Sequence, residues 1–254
     1  MVPYIEFRNV TFLYTEKEVL HDINFSVYEG DFVCIIGGSG SGKTTLLKLI
    51  SGEIYPKKGE VLIKGKSISD FSKAELHKYR KSMGYLFQQG ALFTDLNVYD
   101  NVAFPIREHT SLCEKEIEAI VENKLLSVDL GGVERLYPAE LSGGMIKRVA
   151  LARAIALNPS LLLYDEPFAG LDPIVLMKIA KLIGRTNQNI NATSIMVTHN
   201  IRESLPLADK VILLSQNRIV FDGSPEDILK NRNSIVQEFL RAASIPLALL
   251  DVGS

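Results

Sequence analysis

The sequence has 254 residues, with 28 Lys and Arg residues against 30 Asp and Glu residues and a formal net charge of −2. Apolar residues make up 46% and charged residues 23%, proportions that are typical of globular proteins. The length allows one large domain or two small ones, and the near-neutral charge argues against a dedicated nucleic-acid binder.

The two cysteines, Cys34 and Cys113, have neither metal-site nor disulfide-framework spacing. Cys34 lies in an apolar run, so we expect it to be a buried apolar residue. The chain does not open on a basic segment followed by an apolar one, as a signal peptide would, and no apolar run approaches the roughly 20 residues of a membrane-spanning helix. We therefore expect a soluble protein of a reducing compartment that reaches a membrane only through partners.

The chain alternates short apolar runs with amphipathic stretches, which predicts alternating strands and helices. Strands are predicted at 4–14, 21–28, 32–36, 61–63, 83–87, 161–164, 194–197, 210–214 and 218–221. Helices are predicted at 43–51, 74–80, 114–126, 143–157, 174–185, 201–207 and 235–243, and Ser224 followed by Pro225 is typical of one more helix start.

This order predicts a single α/β domain over residues 1–254 with a parallel sheet core. We assign 1–88 and 141–224 to the core, together with an antiparallel side sheet near the N-terminus. Residues 89–140 lose the strand pattern and are predicted to form a helical subdomain, and 225–254 are predicted to form C-terminal helices and a tail.

A glycine-rich loop lies between the buried strand 32–36 and the helix that follows, and it matches the phosphate-loop pattern G-x-x-x-x-G-K-[ST] in full. Glycines let such a loop turn its backbone N–H groups toward phosphate oxygens, and the helix N-terminus favours negative charge. The lysine supplies charge to the β- and γ-phosphates, and the first threonine can bind Mg²⁺. The predicted nucleotide-binding residues here are Gly37, Gly38, Ser39, Gly40, Ser41, Gly42, Lys43, Thr44 and Thr45.

Two carboxylates, Asp165 and Glu166, follow the buried strand 161–164. Ligands of open α/β sheets gather at the carboxyl ends of the strands, so this pair is expected near the phosphate loop. Asp165 is the candidate Mg²⁺ ligand, and Glu166 is the candidate for polarising the attacking water.

The segment Leu141-Ser142-Gly143-Gly144-Met145 resembles the signature motif of ATP-binding cassette (ABC) ATPases. That resemblance implies a RecA-like phosphate-loop NTPase fold, with ATP and Mg²⁺ as substrate and cofactor. It further implies that Ser142, Gly143 and Gly144 bind the γ-phosphate held by the phosphate loop of a second copy. Two ATP molecules are then sandwiched in a head-to-tail dimer.

Four further positions fall in the order of the same family. Gln88 matches the glutamine that contacts Mg²⁺ and senses the transporter, and it is counted with Glu166 and His199 in the catalytic set. Asp172, in Ala-Gly-Leu-Asp, matches a loop that touches the opposite subunit. His199 matches the histidine near the γ-phosphate, and Tyr14 lies where the family stacks an aromatic ring on adenine.

Met145 departs from the Gln that many family members carry, and in this it looks like the Mla-type branch. The segments 89–102 and 104–110 are similar to that branch as well. Its members are ATPase subunits that move phospholipids between the inner and outer membranes of diderm bacteria. The resemblance implies a peripheral location on the cytoplasmic face of the inner membrane, with an integral permease, an MCE-domain lipid-binding protein and a STAS-domain protein as partners.

Several alternatives stay open at this point. Leu92, Phe93 and Phe104 could form a groove for a permease helix or fill the core of the helical subdomain, and both can hold. The apolar segment 245–250 could contact a neighbouring subunit or fold back on its own domain. The rival functions are an ABC importer or exporter for another substrate and a soluble non-transport ABC ATPase.

Overall fold

The structure is a computed structural model that describes residues 2–243. The chain divides into two compact units, Met1–His77 with Thr193–Ser254 and Lys78–Ala192. The predicted tail segment 245–250 lies outside the described residues. Among the described residues, no helix is long and apolar enough to cross a membrane.

The described part of the chain forms strands, α-helices and three single-turn 3₁₀ helices. The strands are β1 (Ile5–Tyr14), β2 (Lys17–Val27), β3 (Phe32–Ile36), β4 (Lys58–Ile63), β5 (Lys66–Ser67), β6 (Met83–Leu86), β7 (Leu161–Asp165), β8 (Thr193–Thr198), β9 (Lys210–Ser215) and β10 (Arg218–Gly223). The α-helices are α1 (Lys43–Ile50), α2 (Lys73–Lys81), α3 (Val98–His109), α4 (Glu114–Ser127), α5 (Gly143–Ala154), α6 (Pro173–Ile190), α7 (Ile201–Ser204), α8 (Pro225–Lys230) and α9 (Ser234–Ala242). The 3₁₀ helices are Ile68–Asp70, Pro138–Glu140 and Leu205–Leu207.

The first unit contains the predicted antiparallel side sheet, with the strand order β2-β1-β4-β5. Phe7 and Phe25 are register partners across β1 and β2, and their rings stack with centroids 4.4 Å apart. In the same unit β3 runs parallel to both β8 and β9, while β10 pairs antiparallel with β9. All five residues of β3 are buried, as an unbroken apolar run predicts for a strand covered on both faces.

The C-terminal helices of the first unit pack on this parallel group of strands. Ile36, Val211, Ile228, Val236 and Leu240 belong to one buried cluster that draws on β3, β9, α8 and α9. Ser224 caps α8 as predicted, since its hydroxyl accepts from the Asp227 N–H and the Asp227 carboxylate accepts from the Ser224 N–H.

The second unit pairs β6 and β7 in parallel and packs α3, α4 and α5 against one another. Residues 89–140, all of them described, contain helices and no strand, which agrees with the predicted helical character. The division into core and helical subdomain stays a prediction.

Several observed elements differ from the predictions. Helix α3 had no predicted counterpart, since Pro105 interrupts the pattern, and α6 continues past its predicted end at 185 to Ile190. The predicted helix 201–207 ends as an α-helix at Ser204 and continues as a 3₁₀ turn. Pro206 explains the change, because it lacks the N–H that would bond to the carbonyl four residues earlier.

Candidate active site

The phosphate loop connects β3 to α1 in the first unit, as predicted. Gly40 and Gly42 adopt left-handed backbone conformations, with φ of 74° and 99°. A Cβ atom built on Gly42 would lie 2.8 Å from Leu20 Cδ2, so a larger residue would collide with β2 as well as strain the backbone. At Gly37 a built Cβ would collide with the carbonyl oxygen of Leu214 in β9. The loop geometry therefore requires glycine at its start and at its end.

Lys43 lies inside the curve of this loop. Its side chain is buried, and Nζ donates to the carbonyl oxygens of Gly37 and Gly38, each at 2.9 Å. The Ser41 Oγ is also buried and has no hydrogen-bond partner among the described residues. An ammonium group and an unsatisfied hydroxyl at a helix N-terminus together suit the oxygens of a phosphate group.

The two threonines of the loop differ in their exposure. Thr44 is exposed on the first turn of α1, whereas Thr45 is buried beneath it. Gly38, Ser39 and Gly40 are exposed at the crest of the loop. Thr44 is therefore accessible to a ligand, whereas the side chain of Thr45 is enclosed by the protein.

His199 leaves the sheet beside the phosphate loop. Ile36, the last residue of β3, is the register partner of Thr198, the last residue of the parallel strand β8. Gly37 and His199 therefore follow adjacent strands at the same sheet edge, and His199 is exposed there. The structure brings these two predicted site residues together.

Tyr14 lies at the far end of β1, where the chain turns into β2. Its ring is 42% exposed and packs edge-on against Phe12, with centroids 4.8 Å apart. The ring is therefore available to stack on a ligand, and its contact with adenine stays a prediction.

The acidic pair lies in the second unit. Asp165 is the last residue of β7 and is 6% exposed. Glu166 adopts a left-handed φ of 45° immediately before Pro167. Both its side chain and the following proline disfavour that conformation, which costs on the order of 1–3 kcal/mol. Strain of this kind is common at catalytic positions.

Gln88 follows the strand next to the acidic pair. Leu86 in β6 is the register partner of Tyr164 in the parallel strand β7. Gln88 and Asp165 therefore lie beyond the same ends of neighbouring strands. The side chain of Gln88 is exposed, and its backbone carbonyl accepts a hydrogen bond from Lys147 Nζ.

Sequence analysis missed Lys147. It lies on α5 and is 5% exposed, among buried residues that include Ala150 and Leu151 at helical spacing. Burial lowers the pKa of the Lys147 ammonium, while the charges of Asp165 and Glu166 raise it. The available signal was a charged residue at the helical spacing of the apolar positions of α5.

The signature segment opens α5. Ser142 is the N-cap, and its hydroxyl accepts from the Met145 N–H at 3.3 Å. A Cβ built on Gly144 would lie 2.8 Å from Val175 Cγ1 of α6, so glycine allows the two helix starts to approach closely. Asp172 caps α6 by accepting from the Val175 N–H at 3.1 Å. The signature segment and Asp172 therefore lie side by side.

The predicted Mg²⁺ ligands, Thr44, Gln88 and Asp165, offer hydroxyl, amide and carboxylate oxygens, which suit a hard cation. Within residues 2–243, no three His, Cys, Asp or Glu side chains are arranged to hold a metal ion. Mg²⁺ bound to a nucleotide keeps water and phosphate oxygens as ligands and needs only one or two protein carboxylates. The donor set therefore fits the predicted ion.

An apolar groove of about 300 Å³ lies in the second unit between β6, α3 and α5. Phe93 and Phe104 line it, each 40% exposed, with ring centroids 4.7 Å apart. Arg153 lies on its wall, with its guanidinium 5.9 Å from the Phe93 ring centroid. These two phenylalanines are therefore only partly buried, and a docking role for the groove stays a prediction.

Comparison with known proteins places these features in one family. The family described as ABC transporter matches residues 20–169. The intermembrane phospholipid transport system ATP-binding protein MlaF of Haemophilus influenzae is 48% identical over 240 residues, which cover 94% of this chain and 91% of that protein. The "Probable ribonucleotide transport ATP-binding protein mkl" of Mycobacterium leprae is 40% identical, over 95% of this chain and 70% of that protein.

The fold is likewise that of solved cassettes. The ATP-binding cassette MJ0796, in a dimeric post-hydrolysis state bound to ADP and Pi, matches with a TM-score of 0.78 and 31% identity. The match covers 87% of this chain and 98% of that chain. The predicted phosphate-loop NTPase fold is therefore confirmed, and the chain belongs to the ABC transporter family as an ATP-binding cassette.

Proposed function

We propose that this chain is the ATP-hydrolysing subunit of an Mla-type transporter that moves phospholipid between the inner and outer membranes. The observation that carries the proposal is the 48% identity to MlaF over 94% of the chain, together with a complete phosphate loop. Hydrolysis of ATP to ADP and phosphate supplies the free energy for transport.

The phosphate loop binds the nucleotide. Lys43 gives up its two carbonyl partners for the β- and γ-phosphates, and Ser41 Oγ gains a phosphate oxygen as its partner. Backbone N–H groups from 38–44 complete the cradle, and Tyr14 stacks on the adenine. Thr44, Asp165 and Gln88 would supply oxygen ligands to Mg²⁺, which would neutralise charge on the phosphate oxygens.

Glu166 orients and polarises the attacking water, and its carboxylate accepts the proton that the water releases. His199 donates a hydrogen bond to the γ-phosphate, which stabilises the charge that grows there during transfer. Phosphoryl transfer needs positioning and electrostatic stabilisation rather than a covalent intermediate, and these residues supply both.

A second copy of the chain completes the site. Ser142, Gly143 and Gly144 bind the γ-phosphate held by the partner's phosphate loop, and Asp172 contacts the partner. The related cassette MJ0796, solved as a dimer bound to ADP and Pi, supports an assembly of two copies. ATP binding closes the dimer and hydrolysis reopens it.

The groove lined by Phe93 and Phe104 receives an apolar helix of an integral permease on the cytoplasmic face of the inner membrane. Gln88 lies five residues before Phe93, so a change at the nucleotide can reach the permease through this segment. An MCE-domain lipid-binding protein and a STAS-domain protein complete the assembly, and nucleic acid is not a partner.

Another transported substrate is the second candidate, since the mycobacterial relative carries the name of a ribonucleotide transport protein. Copurification of the tagged chain with its permease, followed by transfer of labelled phospholipid between vesicles, separates the candidates. ATP-dependent transfer supports the proposal. A permease complex that hydrolyses ATP without moving phospholipid favours another substrate, and hydrolysis without any permease partner favours a soluble ATPase.

A further inference from the structure

The segment 88–91 is fastened to helix α5 at three points, and Lys147 makes the first of them. Lys147 Nζ donates to the backbone carbonyl of Gln88. Arg153, further along α5, donates to the carbonyl oxygens of Gly90 at 2.7 Å and Ala91 at 2.8 Å. Both cations thus bind backbone carbonyl oxygens. They therefore fix the backbone conformation of the loop and not the conformations of its side chains.

The third point is a close backbone approach at Gly90. This glycine has a φ of 77°, and a built Cβ would lie 2.9 Å from Ile146 Cγ2 and 3.5 Å from Ala150 Cβ. Any side chain here would push the loop away from α5. The backbone of the loop therefore lies directly against α5.

Lys147 is also the more deeply buried of the two cations. The charges of Asp165 and Glu166 act on it, and its side chain is 5% exposed. A buried ammonium is costly without partners, so it needs both the carbonyl of Gln88 and the nearby carboxylates. Its position joins three predicted parts of the site, since α5 begins at the signature segment.

We propose that Lys147 is a positioning residue, which ties the backbone at Gln88 to the signature helix α5. Phosphate binding at the start of α5 is then coupled to the placement of Gln88 for Mg²⁺. The phosphate belongs to the nucleotide held by the second copy, and the Mg²⁺ to the nucleotide held by this chain. The proposal rests on the proposed function for the roles of Gln88 and the signature segment. It concerns Lys147 alone, which neither touches nucleotide nor reacts.

The test compares Lys147→Met, which keeps length and apolar contacts, with Lys147→Arg, which keeps the charge and the donors. Lys181→Met, at an exposed position of α6, is the matched control. Amide hydrogen exchange over 88–91 is measured without nucleotide, and ATP affinity is measured in EDTA and in Mg²⁺. The Mg²⁺ concentration for half-maximal phosphate release is measured alongside them.

Loss of a charge-assisted hydrogen bond should make exchange at 88–91 and the half-maximal Mg²⁺ concentration each rise about tenfold in Lys147→Met. Its ATP affinity in EDTA should stay within about twofold of wild type, since the phosphate loop is unchanged. Lys147→Arg should restore most of both effects, and Lys181→Met should match wild type.

Wild-type exchange and wild-type Mg²⁺ dependence in Lys147→Met would overturn the proposal. A loss of ATP affinity in EDTA of about tenfold, as large as the effect expected on Mg²⁺ dependence, would also overturn the proposal, because it would indicate a general structural role. If Lys147→Met does not fold, Lys147→Leu, which also lacks a donor, replaces it under the same criteria. If the wild type itself releases no phosphate, the proposed function fails, whereas the exchange comparison still decides whether Lys147 holds the loop.

Discussion

The side chain of Asn101 binds both backbone groups of Phe93. Its Oδ1 accepts from the Phe93 N–H at 2.8 Å, and its Nδ2 donates to the Phe93 carbonyl at 3.0 Å. Nδ2 also donates to the carbonyl oxygens of Leu96 and Asn97, at 3.0 and 2.9 Å. One fully buried amide thus fixes the loop that carries an aromatic wall of the groove.

Asn101→Ala should therefore destabilise the protein and loosen the groove. It leaves buried backbone groups without partners, so we expect unfolding free energy to fall by about 2–4 kcal/mol. Urea unfolding measures the loss, with exposed Asn123→Ala in α4 as the control. A variant as stable as the control would show that the Phe93 loop does not depend on this amide.

Ser41→Ala should change stability and affinity in opposite directions. Removing a buried hydroxyl that has no partner among the described residues is expected to raise the unfolding free energy by about 1 kcal/mol. The same change removes a phosphate contact, so ATP affinity should fall about fivefold. Ser111→Ala, at an exposed position outside the phosphate loop, is the control. Lower stability with unchanged affinity would refute the assignment of Ser41 to the phosphate site.

Lys43→Ala should abolish tight nucleotide binding. The buried ammonium is the positive charge inside the loop, and a charge-assisted contact to phosphate is worth about 1.5–3 kcal/mol or more, hence at least about tenfold in affinity. Nucleotide titration gives the result, with Lys48→Ala on the last turn of α1 as the control. Affinity within a factor of about two of wild type would contradict the role of Lys43.

The two cysteines should react very differently with thiol reagents. Burial raises the pKa of the Cys34 thiol to about 12, and its Sγ donates to the Ser204 carbonyl at 3.5 Å. Cys113 is exposed at the start of α4. The thiolate is the reactive form, so native protein at neutral pH should label at Cys113 alone and both should label in urea. Rapid labelling of native Cys113→Ala would show that Cys34 is accessible.

Local chemistry made much of this molecule predictable from its sequence. The apolar run of β3, the glycine pattern of the phosphate loop and the cap of α8 each depend on neighbours in the chain. Lys147 depends instead on what packs around α5, and the partners that make its burial tolerable are distant in sequence. The role of Asn101 also depends on tertiary packing. In the sequence it is an ordinary polar residue, and only the folded chain shows the loop that its side chain binds.

Phe93 and Phe104 show a second limit of prediction from sequence. Their apolar character is plain in the sequence, but whether they fill the core or line a surface depends on tertiary packing. Their 40% exposure favours the groove, which periodicity could not decide.

Single-turnover phosphate release from ATP, in Mg²⁺, by the wild type and by Glu166→Gln is the most direct measurement of the central claim that this cassette hydrolyses ATP through Glu166. Glutamine keeps the shape of the side chain but cannot accept the proton from water. We expect ATP affinity within about threefold of wild type and phosphate release slowed by about 100-fold or more. Release by the variant at the wild-type rate would contradict the assignment of Glu166.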